Sequence, residues 1–330
     1  MTPHLRPATP PPPSRGVRLA RAGLIAFGAA CGVACCAPEA AAAMPADIAA
    51  QIARIGPVIN LGDTAALYAA PLAARPDDDL RTALDQAYGP DPRQQLDVFT
   101  EAAAAGETRP VLVFVHGGGF TGGDKRDTDG GPFYANVGQW AARNGMVGVN
   151  MTYRLAPVHP YPAAQEDIGL ALAWVRVHIG LFGGDPNRVF LMGHSAGASH
   201  VAAYVGSPSP PSVTVAHLAG VLLVSGFYEL GSRDDEAVCA YYGDDAGVRA
   251  GRWPSAGLEG AGAPILLGYA ELDPPEFIEQ ALRLRDRLAA AGSPPVVAAL
   301  AGHNHMSEIY SLGTEDTSAA EPLLAVVAAR

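Results

Sequence analysis

Six short apolar runs, each four to six residues long and separated by turns and helical patterns, constrain this 330-residue chain more than any other feature. The first follows Pro110 as Val111-Leu112-Val113-Phe114-Val115, and runs of the same type recur at residues 146–151, 189–192, 219–224, 265–269 and 296–300. A strand with water on one face alternates polar and apolar side chains, whereas an unbroken run suits a strand covered on both faces, as in a parallel sheet. Helical patterns at 163–177, 196–205 and 275–291 lie between the runs, the first with Glu166 and Asp167 on its polar side, and 95–99 adds a short strand. Strands alternating with helices imply βαβ units and a doubly wound, mainly parallel sheet. At 49% hydrophobic residues the chain can bury a core large enough for it.

Two stretches break the pattern. Residues 226–262, rich in Gly, Asp and Tyr, fall between two strands and are expected to form a small cap or substrate loop. Residues 44–84 are Ala-rich and read as helical, adding to the lid or padding a sheet edge.

The first 43 residues read as a targeting segment. Arg15, Arg18 and Arg21 precede an apolar run from Ala22 to Ala37, and Ala41, Ala42 and Ala43 offer a small-residue cleavage site. A run of this length is short of the roughly 20 residues of a transmembrane helix. The expectation is therefore export of a mature domain, residues 44–330, with no stable membrane insertion. A lipid at Cys31, Cys35 or Cys36 is a weaker alternative. Removal of the segment leaves Cys239 alone, so no disulfide can staple the mature domain. It also removes four arginines and Glu39, taking the formal charge from −11 to −14. Such an acidic surface repels phosphate backbones, which argues against nucleic acid as a partner.

Chemistry enters at Gly193-His194-Ser195-Ala196-Gly197, between the run 189–192 and the helical pattern that starts at Ala196. In a strand-turn-helix context the flanking glycines let strand and helix approach closely, and the tight turn projects the Ser195 hydroxyl out of the sheet. Upstream, His116-Gly117-Gly118-Gly119-Phe120 follows the run 111–115 directly. Glycines there expose backbone N–H groups, and those of Gly118, Gly119 and Ala196 would hold an oxyanion in acyl transfer. A serine nucleophile needs an acid and then a base farther along the chain. Asp273, just past the run 265–269 and before Pro274, is the expected acid, with Glu271 as competitor. His303 and His305 are both candidates for the base. Their spacing also permits a metal reading, which lacks a third ligand motif. Phe120, Tyr228, Tyr241 and Tyr242 are candidate lining residues of a substrate pocket.

Together, His116–Phe120, Tyr153-Arg154-Leu155-Ala156-Pro157 with Pro160 and Pro162, Gly184-Asp185-Pro186, Gly193–Gly197 and Asp273-Pro274 resemble the bacterial hormone-sensitive-lipase-like esterases and short carboxylesterases of the α/β-hydrolase fold. The resemblance covers about residues 88–325. It implies hydrolysis of short acyl or small aryl esters through an acyl-enzyme on Ser195, without metal or cofactor. It also favours His305, followed by Met306 and Ser307, over His303 as the base. One departure is His194, where the hormone-sensitive-lipase branch usually has Asp, as the short carboxylesterase and formamidase side does not. The alternatives are an arylformamidase with the same triad, a feruloyl or acetyl esterase, and a non-catalytic binding protein of the same fold.

Overall fold

The computed structural model describes residues 44–75, 79–101, 107–127, 129–207, 218–231 and 233–329. The expected targeting segment, 1–43, lies outside the described residues. The six apolar runs become strands of one eight-stranded sheet: β1 (Leu80–Ala87), β2 (Gln95–Glu101), β3 (Arg109–Val115), β4 (Val147–Met151), β5 (Gly184–His194), β6 (Leu218–Val224), β7 (Ile265–Leu272) and β8 (Val296–Asn304). Their order is β1-β2-β4-β3-β5-β6-β7-β8, parallel from β4 to β8, with β1 and β2 antiparallel at one edge. This is the α/β-hydrolase arrangement that the resemblance implies.

The helices are α1 (Ala46–Ile55), α2 (Leu61–Ala73), α3 (Ala135–Arg143), α4 (Ala163–His178), α5 (Ala196–Gly206), α6 (Glu236–Tyr242), α7 (Ala246–Ala250), α8 (Pro275–Ala290), α9 (Ser307–Tyr310) and α10 (Ala320–Ala328). Strand alternation sends Val111, Val113 and Val115 to one face, with Ile168 of α4, Val201 of α5 and Leu284 of α8. Leu112 and Phe114 go to the other, with Trp140 of α3, Tyr68 of α2 and Leu323 of α10. Both faces are thus covered, which is why the sequence shows runs rather than alternation. Among the described residues no helix is long and apolar enough to cross a membrane.

Two expectations are corrected. Residues 80–84, read as the end of a helical region, open the edge strand β1, paired antiparallel to β2 with Thr82 opposite Phe99. Pairing to a ready sheet edge overrides local helix propensity there. The run 296–300, read as a doubly covered strand, is the other edge, with Val296 57% exposed.

Candidate active site

Ser195 sits between β5 and α5 with φ 56° and ψ −125°, a conformation that non-glycine residues seldom adopt. The turn is held by the Ser195 N–H, which donates to the Val224 carbonyl at 2.9 Å. A Cβ at Gly193 would run into the Gly197 backbone, and one at Gly197 into the carbonyls of Val115 and His116. The motif's two glycines are therefore steric requirements of the strand crossing the helix.

His305 follows β8 and brings Nε2 to 2.9 Å from Ser195 Oγ. Its Nδ1 lies 2.7 Å from Asp273 Oδ1. Asp273, 1% exposed, accepts on Oδ2 from the Ser225 hydroxyl at 2.6 Å and the Ala270 N–H at 2.8 Å. Four hydrogen-bond relations thus fix Asp273 and His305 beside Ser195. Glu271 points elsewhere, accepting from the Gly302 N–H at 2.8 Å. His303 is likewise engaged away from Ser195, with Ser307 Oγ at 3.0 Å and Ser318 Oγ at 2.8 Å. The two histidines of the His-x-His pair diverge, and both ring nitrogens of His305 are taken by Asp273 and Ser195.

The glycine loop lies against the same serine. Gly118 (φ 132°) and Gly119 (φ 59°) turn through conformations open to glycine, and both are exposed at the cavity. Ala196 opens α5, so its N–H is one of the first-turn donors that no intrahelical carbonyl accepts. The loop is braced from below: the Tyr153 hydroxyl donates to the His116 carbonyl at 2.9 Å, and the two rings stack with centroids 4.4 Å apart. Arg154 in turn is pinned to Asp167, its N–H donating to Oδ2 at 2.7 Å. Burial holds the His116 imidazole down to about 4 and His200, packed beside Tyr153, down to about 3.

Ser195, His305 and the glycines open onto a cavity of about 600 Å³. Phe120 lines it, but Tyr228, Tyr241 and Tyr242 do not: all three are fully buried in the core behind it. The expected tyrosine lining is corrected accordingly. Tyr241 donates to Gln165 at 2.7 Å and stacks on Phe120, so it supports the wall rather than forming it. The wall is instead Phe227 and Phe277, whose rings stack at 4.1 Å, with Phe277 4.4 Å from the His305 ring. Arg233 lies 4.0 Å over Phe227 and is bridged to Glu276 at 2.6 Å. Ile59, from the connection between α1 and α2, and Leu61, the first residue of α2, complete the mouth. The cavity therefore draws on the 226–262 stretch through Phe227, Arg233 and Val238, and on the N-terminal helices. Position alone could have drawn attention to Phe227 and Phe277, since each follows the C-terminal end of a strand, where sites gather in such sheets.

Comparison with known proteins matches residues 95–226 to the carboxylesterase family. Esterase LipC of Mycobacterium tuberculosis is 40% identical over 119 residues, 36% of this chain and 28% of that protein. Probable carboxylesterase 13 of Arabidopsis thaliana is 34% identical over 164 residues, 44% of this chain and 49% of that protein. The chain thus spans between about a quarter and a half of these relatives. Among solved structures, esterase B from Lactobacillus rhamnosis superposes with a TM-score of 0.68 at 20% identity, covering 86% of this chain and 95% of that one. A bacterial heroin esterase does so at 0.57 and 24% identity, covering 86% and 96%. These likenesses establish the shared fold.

Proposed function

We infer that this α/β-hydrolase, a carboxylesterase relative through residues 95–226, is a carboxylic ester hydrolase acting through an acyl-enzyme on Ser195. The observation that carries the reading is the hydrogen-bonded line from Ser195 Oγ through His305 to Asp273, at 2.9 and 2.7 Å. His305 Nε2 takes the Ser195 proton as Oγ attacks the ester carbonyl, and Asp273 holds the ring in the required tautomer and stabilises its cation. The N–H groups of Gly118, Gly119 and Ala196 receive the oxyanion. The imidazolium protonates the departing alcohol; water, deprotonated by the same ring, then releases the acid. No step needs a metal or cofactor.

Short-chain and small aryl esters fit best. A cavity of about 600 Å³ must hold both acyl and alcohol sides, and the Phe227–Phe277 wall offers a flat apolar surface within reach of the base. The segment 1–43 is read as an export signal, which would place the mature enzyme outside the cytoplasm.

The test is hydrolysis of p-nitrophenyl esters from acetate to palmitate by the purified protein and by Ser195→Ala. Activity that peaks at short chains and vanishes in the variant supports the reading. A folded wild type inactive on every ester but active on N-formyl arylamines would move the assignment to a formamidase, and activity surviving Ser195→Ala would end the acyl-enzyme scheme.

A further inference from the structure

Beside the line from Ser195 to Asp273 lies a pair of titratable side chains that the acyl-transfer scheme leaves unused. His194 directly precedes the nucleophile, and Glu308 lies on α9, three residues after His305. Both are fully buried. His194 Nε2 is 2.9 Å from the His305 carbonyl oxygen and 3.2 Å from Glu308 Oε1. A carbonyl oxygen only accepts, so the ring proton is on Nε2 and Nδ1 is bare; Nδ1 has no partner among the described residues. Neither Glu308 oxygen makes a well-aligned hydrogen bond, so the short approach to Nε2 is the closest polar contact described for that carboxyl.

We propose that His194 and Glu308 are positioning residues of the reaction: the His194 Nε2–H ties the main chain of the base to the nucleophile elbow, and Glu308 fixes the ring that does so. The proposal rests on the reading of Ser195 and His305 as nucleophile and base. Its force comes from adjacency. The anchor at 194 is one residue from the nucleophile, and the carbonyl it holds belongs to the base itself. One bond therefore sets the distance between two loops that arrive from β5 and β8. A displacement of about 1 Å at a reacting group costs on the order of a hundredfold in rate, so this bond has a kinetic consequence that ordinary packing lacks.

The pair acts by geometry rather than charge. Glu308 is faced by Asp273, His194, His305, Ser225, Tyr134 and Tyr228, with no guanidinium or ammonium among them. Burial first, and Asp273 second, push its acid well above the usual range. Burial, with His305 second, pushes the His194 imidazole well below its own. Burial favours the uncharged form of each group, and the amide of Gln is the uncharged replacement at each: at 308 its carbonyl oxygen takes the place of Oε1 beside the His194 ring, and at 194 its Nε2 donates from nearly the same reach as the ring Nε2.

The experiment compares wild type, Ser195→Ala, His194→Gln, His194→Asn, His194→Leu, Glu308→Gln and Glu308→Leu on p-nitrophenyl butyrate. It reads kcat, KM and the pH–rate profile, with melting temperature as a control. Glu308→Gln and His194→Gln are expected within about threefold of wild-type kcat with an unshifted acid limb. His194→Asn, which withdraws the donor, and both leucine variants should lose roughly ten- to a hundredfold in kcat with KM nearly unchanged. The proposal is overturned if Glu308→Gln is as impaired as Glu308→Leu or shifts the acid limb. It is equally overturned if His194→Asn matches His194→Gln, or if losses fall on KM. Should the leucine variants not fold, the Gln and Asn pair at 194 decides alone. Activity in Ser195→Ala sinks the underlying reading instead, so the two failures are distinct.

Discussion

Acidification from pH 7 to pH 5 should cost this fold several kcal/mol, and His200 is the place to measure one share of it. Its ring is fully buried, neither nitrogen has a described partner, and burial holds its imidazole down to about 3. An unfolded chain binds the proton with the ordinary histidine pKa of about 6.5. The folded pKa is thus depressed, so the stability linked to this group is present above about 6.5 and is lost as pH falls toward about 3. Between pH 7 and 5 the unfolded state takes up about three-quarters of a proton that the folded state refuses, and integrated over that range the difference amounts to about 2 kcal/mol. The assay is urea unfolding of wild type and His200→Phe at both pH values. Phe fits among Phe120, Tyr153 and Tyr241, the rings that now surround the imidazole. Any packing penalty of the larger ring applies equally at the two pH values and drops out of the difference. The wild type should lose about 2 kcal/mol more than the variant on acidification. Equal losses in the two proteins would refute the argument that His200 is held neutral by burial.

Three further outcomes follow from the geometry. Asp273→Asn should lower kcat by roughly a thousandfold or more with little change in KM, because the amide stabilises the wrong tautomer of His305, while Glu271→Gln should stay near wild type; steady-state kinetics on p-nitrophenyl butyrate checks both. Gly197→Ala places a Cβ against the Val115 and His116 carbonyls, so it should lower the thermal midpoint by several degrees and cut kcat together, and an unchanged melting curve would contradict the steric reading of the elbow. Phe227→Ala removes the outer ring of the aromatic wall; KM for aryl esters should rise about five- to tenfold relative to ethyl esters, and an unchanged ratio in a substrate panel would show that the wall does not contact the alcohol side.

What the sequence made legible, and what it did not, divides by the kind of constraint. Strands buried on both faces have no freedom but to be apolar, so β3, β4, β5, β6 and β7 were visible as runs. Ser195 and Asp273 were visible because each follows a strand run and sits beside a turn signal, whereas the residues alone left His303 and His305 both open and only the family resemblance favoured His305. Phe227 and Tyr228 illustrate the opposite case. They are neighbours just beyond β6, one lining the cavity and the other fully buried. In a stretch with no period of two or 3.6, nothing in the residue types says which of two adjacent aromatics faces inward. Phe277 was hidden differently: inside an amphipathic pattern an aromatic reads as core, and its place in the first turn of α8 is what turns it toward His305. The β1 edge was illegible because pairing, not propensity, makes it a strand.

The same division explains how the site can be both exacting and adaptable. Ser195, Asp273 and His305 stand at the ends of β5, β7 and β8, and their positions are set by parallel ladders and by glycines that admit no Cβ, so they inherit the rigidity of the sheet. The cavity mouth is built otherwise. Ile59, Leu61 and Arg233 come from segments outside the sheet, and what they contribute is side-chain surface: Leu61, at the start of α2, is 56% exposed, and Arg233 is held by Asp235 and Glu276 at the rim. A substitution there removes area that substrate would cover without disturbing a ladder or the elbow. Chemistry is therefore tied to the elements that make the protein fold, and substrate choice to the segments that it folds around. For that reason the catalytic class can be argued from geometry, whereas the choice among esters has to be measured at the rim.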